Sequence, residues 1–311
     1  MERILKIAFI GTNEGNGHIY SWSAIINGSY NFELIKKCGY PVIVDYLYKN
    51  RNNLGIKDAR VTHVWTHDRN ISEQVSKTTF IDNVIDSPEQ AIGYVDGAVI
   101  TTDIGSTHVN LAKPFIDANI PVFIDKPLAD NIEDLKTFYN WYKEGKLIMS
   151  CSSLRYAREI KSLDLSAAGR IEYISGIMSK SWERYGVHAI EGLCAITGIN
   201  IDSVFNTGDQ HLNLALINHK NGLRSLLQVI YNSKIFGRYD IFCEKNTFTI
   251  ETSDSFYMFR EQIEDIVKFF VEHKYPFPFL ETVEIIKAVI AGIESRKTGK
   301  PVHISEINLE E

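Results

Sequence analysis

A lysine–proline pair follows closely after a short apolar run in the first half of the chain. Residues 122–124 form the run, and Lys126 and Pro127 come after Asp125. Proline holds the residue before it in extended backbone, so Lys126 is expected to project from a strand end, with the cis or trans state of the bond open. Most lysines are solvated, but burial near another cation lowers a lysine's pKa enough for proton transfer at neutral pH. We predict that Lys126 is an acid–base group.

A histidine stands at the start of a helical pattern in the second half of the chain. His188 precedes residues 189–196, and Gly198 ends the pattern. A neutral imidazole at this point can accept a proton or orient a hydroxyl group. A single histidine is more often a packed or surface residue, so the spacing around His188 has to supply the argument.

A glycine-rich turn lies between the first predicted strand, residues 4–10, and a helical pattern at 19–27. Glycines let backbone N–H groups approach a pyrophosphate, and the following helix N-terminus favours negative charge. The spacing departs from G-x-G-x-x-G because Asn13 stands where the second glycine is expected. The pattern alone therefore leaves phosphate binding open, with these candidates: Gly11, Thr12, Asn13, Gly15, Gly17 and His18.

An insertion at about residues 28–58 delays the second predicted strand, which ends near Thr66. In a dinucleotide-binding unit an acidic residue at this strand end contacts the ribose. Asp68 is close to that place, and Arg69 could meet a 2′-phosphate; Asp45 is the candidate if the strand lies earlier. A solvated charged loop is the alternative interpretation. The choice between NAD and NADP stays open.

The order of the predicted elements indicates two domains. Strands alternate with helices up to about residue 125, which is typical of a doubly wound parallel sheet. After residue 170, short strand-like runs follow one another, and Asn221-Gly222 is a hairpin signal. We predict a Rossmann domain at 1–127 and a second domain at 128–311, to which the resemblance described below assigns substrate binding and oligomerisation.

Composition excludes several classes of protein. The 311 residues carry a net charge of −6 and show no clustered basic patch, which argues against nucleic-acid binding. No apolar run reaches the roughly 18 residues of a membrane helix, and the N-terminal run is too short for a signal peptide. We expect no metal, since His63 and His67 lie in a strand-like run. Four dispersed cysteines indicate a reducing compartment, hence the cytoplasm: Cys38, Cys151, Cys194 and Cys243.

Two motifs resemble the Gfo/Idh/MocA family of oxidoreductases. The first is Lys126-Pro-Leu-Ala, in which Asp125 replaces the usual Glu, preceded by a strand, Thr102-Asp103 in place of Thr-Pro, and His108. The second is Gly186-x-His188, where the family shows Asp-x-Gly-x-His-x-x-Asp; the flanking positions here are Arg184 and Glu191. The resemblance spans nearly the whole chain, and these two motifs are its specific parts.

The resemblance implies an N-terminal Rossmann domain and a C-terminal α+β domain with a large, mostly antiparallel open sheet. It implies NAD or NADP as cofactor, a small-molecule substrate such as a sugar or polyol, and a homo-oligomer, dimer or tetramer. It implies Lys126 and His188 as catalytic residues. The remaining cofactor contacts would come from Thr101, Thr102, Asp103, His108 and Asp125, with Lys126, and the substrate contacts from Arg155, Tyr156, Trp182, Arg184, Tyr185 and His188.

The expected reaction is hydride transfer between nicotinamide and a CH–OH carbon, for which the protein supplies geometry and acid–base groups. Arg184 in place of the family's Asp keeps two alternatives open: a substrate carrying a carboxylate, and elimination or glycoside cleavage without net redox change. The irregular glycine turn keeps open a third alternative, a non-catalytic dinucleotide-binding protein.

Overall fold

The chain folds into two compact units. The computed structural model describes residues 4–310. The first unit comprises residues up to 125, together with 140–150 and 259–277. The second comprises residues 126–139, 151–258 and 278 to the C-terminal end of the described chain. Each unit has its own sheet and its own apolar core.

The structure contains thirteen strands and ten α-helices among the described residues. The strands are β1 Leu5–Ile10, β2 Ala59–Trp65, β3 Asn83–Val84, β4 Gly97–Ile100, β5 Val122–Ile124, β6 Ile148–Met149, β7 Ile171–Ser179, β8 Ile201–Asn206, β9 Leu212–His219, β10 Arg224–Ile230, β11 Arg238–Cys243, β12 Thr247–Glu251 and β13 Val302–His303. The helices are α1 His18–Asn27, α2 Phe32–Ile35, α3 Pro41–Lys49, α4 Arg69–Thr79, α5 His108–Asp117, α6 Ile132–Lys143, α7 Arg158–Lys161, α8 Trp182–Thr197, α9 Ser255–Glu272 and α10 Phe279–Thr298.

The first unit is built on a six-stranded parallel sheet. Its strand order is β3-β2-β1-β4-β5-β6, with every neighbouring pair parallel. The central strands are apolar on both faces because helices cover them, as in β4 and β5, where every residue is buried. The strand order reverses between β1 and β4, which is where doubly wound sheets bind ligands. The predicted doubly wound Rossmann sheet is confirmed.

The first unit also takes two segments that we had assigned to the second domain. β6 pairs with β5 and completes the parallel sheet. Residues 259–277 carry most of α9, whose Phe270 packs so closely on Gly97 that a Cβ there would lie 2.4 Å from its ring. A two-residue strand shows no pattern in a sequence, and an amphipathic helix does not indicate which sheet it covers. The insertion likewise contains two helices, α2 and α3, that we did not predict.

The second unit is built on a seven-stranded mixed sheet, ordered β12-β11-β7-β10-β9-β8-β13. Only β7 and β10 are parallel among its described pairs, so the sheet is mostly antiparallel, as expected. Gly222 takes φ +87° in the turn between β9 and β10, which confirms the Asn221-Gly222 hairpin signal. Trp182 joins α8 to α10, since its Nε1 donates to the carbonyl of Val289 at 2.9 Å.

One side of α8 packs against β11 without room for a further atom. A Cβ on Gly192 would lie 2.1 Å from the Tyr239 hydroxyl. That buried hydroxyl donates to the carbonyls of Ala189 at 3.0 Å and His188 at 3.4 Å. Tyr239 therefore fixes the position of α8 along the sheet at the turn that carries His188.

We predict that Gly192→Ala lowers the free energy of unfolding by about 1–3 kcal/mol, because the added methyl overpacks this contact. Thermal denaturation would measure the loss as a lower Tm. In a Tyr239→Phe background the hydroxyl is absent, so the same substitution should cost less. An equal loss in both backgrounds would contradict the proposed contact.

Candidate active site

The glycine turn after β1 is shaped by its contact with the residues that follow β4. Gly11 has φ +85°, and a Cβ there would lie 2.9 Å from Thr102 Cγ2. The hydroxyl of Thr101 donates to the carbonyl of Gly11. Both the backbone conformation and the close approach therefore require glycine at position 11.

Asn13, which replaces the expected second glycine, closes the turn by two hydrogen bonds to one residue. Its Nδ2 donates to Asp103 Oδ1 at 2.7 Å, and its Oδ1 accepts the backbone N–H of Asp103 at 2.9 Å. The Thr102-Asp103 segment thus replaces Thr-Pro with a residue that offers both an N–H and a carboxylate. Asn13, which replaces the second glycine, and Asp103, which replaces the proline, are thus hydrogen-bonded to each other.

A cavity of about 370 Å³ opens beside the turn at the carboxyl edge of the parallel sheet. Aromatic and apolar side chains line it, among them Tyr20, Tyr40 and Ile71, and so do the carboxylates of Glu14 and Asp68. Gly17 is the N-cap of α1 and has no side chain, and the N–H of His18 donates to Asn16 Oδ1 at 2.9 Å. Apolar walls for a base, acceptors for ribose hydroxyls and a helix N-terminus for phosphate fit a dinucleotide.

The residues at the end of β2 divide into those that line this cavity and those that support it. Thr66 is buried, and its Oγ1 donates to the carbonyl of Asp68 at 2.6 Å, so it holds the turn. Asp68 lines the cavity and caps α4 through the N–H of Asn70 at 2.9 Å. Arg69 forms ion pairs with Asp86 and Glu73. Asp45 lies in α3, so Asp68 is the acidic residue in the place expected for the ribose partner.

His18 and His108, which we predicted to contact the cofactor, form hydrogen bonds with other parts of the first unit. His18 Nδ1 lies 2.6 Å from Asp125 Oδ2, and its ring stacks on Trp22 with the centroids 4.4 Å apart. Asn16 donates to the same carboxylate oxygen at 2.9 Å. His108 is fully buried, with Nε2 2.9 Å from the carbonyl of Thr102. Asp125, the residue before Lys126, is therefore held by two side chains from the glycine turn.

Lys126 and His188 lie against the same aromatic ring in the second unit. Lys126 Nζ is 5.1 Å from the centroid of the Tyr185 ring, and the His188 and Tyr185 centroids are 4.9 Å apart. Lys126 is 2% exposed and His188 is 3% exposed. The Lys126–Pro127 peptide bond is cis. The two groups predicted from separate motifs, 62 positions apart in the chain, are thus brought together by one tyrosine.

His188 is oriented by a buried serine that the sequence analysis did not find. Ser152 Oγ lies 2.6 Å from His188 Nδ1 and accepts the N–H of Leu154 at 3.1 Å. With that N–H bond made, the serine can direct its own proton to Nδ1, which leaves the imidazole proton on Nε2. The ring of Phe236 packs edge-on at 5.1 Å from the imidazole. Ser152 is therefore a hydrogen-bond partner of the His188 ring.

A buried ion-pair network holds Ser152, the hydrogen-bond partner of His188. Arg155 donates to Glu191 Oε1 at 2.6 Å and to Glu281 Oε2 at 2.7 Å. Glu191 Oε2 accepts the backbone N–H of Ser152 at 3.1 Å. Burial alone would lower the pKa of Arg155, but the carboxylates of Glu191 and Glu281 outweigh it and raise that pKa. Arg155 is therefore a charged supporting residue with two carboxylate partners, rather than an open substrate contact.

The other expected substrate residues fall in different places. Trp182 and Tyr156 are buried, and Lys161 Nζ lies 5.1 Å from the Tyr156 centroid. Arg184 is half-buried on α8, one turn before His188. Lys180, which we did not predict, donates to the Tyr185 hydroxyl at 2.6 Å. Lys180 could have been predicted because it is close to His188 in the chain. Nothing in the sequence around Ser152 indicates the role of that serine.

Three further features bear on the class of protein. All four cysteines are free, and burial raises the pKa of Cys38 and Cys194 above the usual range of a thiol. Within residues 4–310, no three His, Cys, Asp or Glu side chains form a group able to hold a metal ion. Across the same residues, no helix is both long enough and apolar enough to cross a membrane.

A family model matches the segment that contains the Lys-Pro motif. Residues 38–152 match the Gfo/Idh/MocA oxidoreductase family, described as having the NAD-binding Rossmann fold. The matched segment includes Asp68, the turn at Thr102-Asp103, Lys126 and Ser152. No curated protein matches the chain significantly in sequence.

Solved structures match the fold over nearly the full length. A scyllo-inositol dehydrogenase from Lactobacillus casei, solved with bound NAD(H) and scyllo-inositol, has a TM-score of 0.76 and 14% identity, over 97% of this chain and 100% of its own. An oxidoreductase from Agrobacterium radiobacter, solved with NAD+, L-tartaric acid and magnesium, has a TM-score of 0.72 and 15% identity, over 98% and 99%. The chain is therefore similar to the Gfo/Idh/MocA oxidoreductase family over residues 38–152, and it shares the fold of these solved structures.

Proposed function

We propose that the chain is an NAD-dependent dehydrogenase that interconverts a CH–OH group and a carbonyl in a sugar, a cyclitol or a related hydroxy compound. The observation that carries the proposal is the placement of the Lys126 amino group and the His188 imidazole on one tyrosine ring. A buried amine and a buried imidazole beside each other are suited to proton transfer to and from a hydroxyl group. The L. casei structure, which holds NAD(H) and a cyclitol, supports this substrate class.

Each side chain has a separate role in this proposal. Lys126 accepts the hydroxyl proton during oxidation and returns it during reduction. His188 orients the same hydroxyl through Nε2, because Nδ1 is occupied by Ser152. When bound, the nicotinamide accepts or supplies the hydride. The Tyr185 ring packs against both side chains and excludes water on the side that it covers.

The acid at the ribose position supports NAD rather than NADP. Asp68 lines the cavity beside the glycine turn, whereas Arg69 is engaged by Asp86 and Glu73. A carboxylate accepts hydrogen bonds from ribose hydroxyls and repels a 2′-phosphate. Glu14 adds a second carboxylate to the same cavity.

Arg184 keeps the non-redox alternative in the proposal, because it occupies the place of the family's Asp one helical turn before His188. Net reduction of NAD by a substrate excludes elimination or cleavage without redox change, and dinucleotide binding without turnover on any substrate would support the non-catalytic alternative. Assembly as a dimer or tetramer is part of the proposal and rests on the family resemblance, whereas the cytoplasmic location rests on the four dispersed cysteines.

Lys126→Met should reduce turnover of NAD with the best substrate of a sugar and cyclitol panel by at least about 100-fold, since the acid–base group is lost. Absorbance of reduced nicotinamide measures the rate, and calorimetry with NAD checks that the variant still binds dinucleotide. Lys300→Met, on an exposed lysine beyond α10, is the matched control. A Lys126 variant that retains the full rate would refute the assigned role.

Ser152→Ala should lower kcat by about 10- to 100-fold with little change in KM, because the imidazole loses the partner that fixes its orientation for the reacting hydroxyl. Ser153→Ala removes a neighbouring buried hydroxyl and serves as the control. Equal changes in kcat for both variants, or a change in KM alone, would count against a positioning role for Ser152.

Asp68→Ser should raise the ratio of NADP affinity to NAD affinity by about 10-fold or more, because it removes a charge that repels the 2′-phosphate. Serine is as good an N-cap as aspartate, so α4 should begin at the same residue. Calorimetric Kd values for NAD and NADP give the ratio. An unchanged ratio would show that Asp68 does not face the ribose.

A further inference from the structure

Lys180 occupies an unfavourable backbone conformation between β7 and α8. Its φ is +65°, in the left-handed region that glycine and asparagine adopt more readily. The conformation turns the chain from Ser179, the last residue of β7, into Trp182, the first residue of α8. Residues other than glycine with such a backbone conformation cluster at functional sites. A lysine at this position therefore suggests that its ammonium group has a function.

The ammonium group of Lys180 lies at the Tyr185 ring together with that of Lys126. Lys180 Nζ is 4.5 Å from the ring centroid and donates to the hydroxyl at 2.6 Å. Lys126 Nζ is 5.1 Å from the same centroid. The two side-chain nitrogens are therefore at most about 10 Å apart at one half-buried ring.

The Tyr185 hydroxyl completes a donor pair with Lys180. Because the hydroxyl oxygen accepts a hydrogen bond from Nζ, its own O–H can donate to a further acceptor. Among residues 4–310, no side chain or carbonyl accepts that proton, and no carboxylate forms an ion pair with Lys180. The lysine N–H groups and the tyrosine O–H thus offer adjacent donors beside the imidazole of His188.

The carboxylates of α8 are engaged by arginines elsewhere. Glu183 pairs with Arg296, and Glu191 pairs with Arg155. Arg184 lies four residues before His188, which places its Cα on the same face of the helix. These two carboxylates of α8 therefore pair with arginines and not with Lys180, which lies at Tyr185.

We propose that Lys180 and the Tyr185 hydroxyl bind an acidic group of the substrate, so that the substrate is a hydroxy compound carrying a carboxylate or a phosphate. This inference rests on the proposed dehydrogenase function and narrows its substrate class. The acidic group occupies the donor pair, and the hydroxyl that is oxidised lies between Lys126 and His188. Lys180 is a specificity residue that touches the substrate, and Lys126 and His188 keep the roles given above.

The test compares matched substrates with and without the acidic group. Wild-type protein with NAD is assayed on aldonic acids of four to six carbons, on the corresponding alditols and on alditol phosphates. We expect kcat/KM for either the carboxylates or the phosphates to exceed that for the alditols by at least about 10-fold, the effect of one charge-assisted hydrogen bond. The two acidic series distinguish carboxylate from phosphate.

Two variants separate the charge of Lys180 from its place in the fold. Lys180→Gly should reduce the selectivity for acid over alditol by about 10- to 100-fold, mainly through KM, while its Tm stays equal or rises because glycine relieves the backbone strain. Lys180→Arg keeps the charge and should retain most of the selectivity. Calorimetry with the acids on the NAD-loaded proteins measures the same loss without turnover.

The outcomes distinguish this inference from the function on which it rests. Alditols turned over as well as the acids, or a selectivity that Lys180→Gly leaves unchanged, would overturn the acidic substrate class while the dehydrogenase function stands. Acids that bind the NAD-loaded protein through Lys180 without being oxidised would overturn the dehydrogenase function and support the anion site. Acids that neither bind nor react would overturn the inference.

Discussion

The hydrogen bond between Ser152 Oγ and His188 Nδ1 lies where three elements of the second unit meet. α8 cannot slide along β11, because Gly192 touches Tyr239 and the Tyr239 hydroxyl is bonded to the carbonyls of His188 and Ala189. At the start of the helix, Trp182 ties it to α10. These contacts fix the position of the imidazole. The Tyr185 ring lies one turn earlier on α8, and both Lys126 and Lys180 contact that ring. The chemistry proposed for the chain depends on this fixed helix.

Buried carboxylates next to the functional residues are all bonded to several partners. Asp125 precedes Lys126 and accepts bonds from Asn16 and His18. Glu191 follows His188 by three residues and is held by Arg155 and the N–H of Ser152. An isolated buried carboxylate would be protonated or would destabilise the fold, so each needs these partners. The same bonds that satisfy the carboxylates hold the residues beside Lys126 and His188 in place.

The sequence was sufficient for the fold class because its strongest signals are local. Apolar runs such as 122–124 mark strands that are covered on both faces, and Asn221-Gly222 marks a hairpin, so both sheets follow from periodicity and turn chemistry. Lys126 and His188 were predicted from motif spacing, and both lie against Tyr185 in the structure. The domain boundary could not be found in this way, because whether the helix containing Phe270 packs on the first or the second sheet is a long-range property of its surface.

Partners of the functional residues were the hardest features to predict. Ser152 is one of three serines within four positions, and only the fold shows which of them reaches His188. Arg155 carries a charge that suggests a substrate contact, but two carboxylates distant in sequence engage it. Lys180 reads as the end of a strand, and its left-handed backbone and contact with Tyr185 appear only in three dimensions. Pairings across 36 to 126 positions of sequence leave no local signal.

The most direct measurement is a crystal structure of the protein with NAD and a bound substrate or product. The account predicts that Lys126 Nζ and His188 Nε2 both lie within about 3 Å of the same substrate oxygen, on the carbon that faces the nicotinamide. A complex in which either side chain is out of hydrogen-bonding reach of that oxygen, or in which the dinucleotide binds away from Lys126, would contradict it.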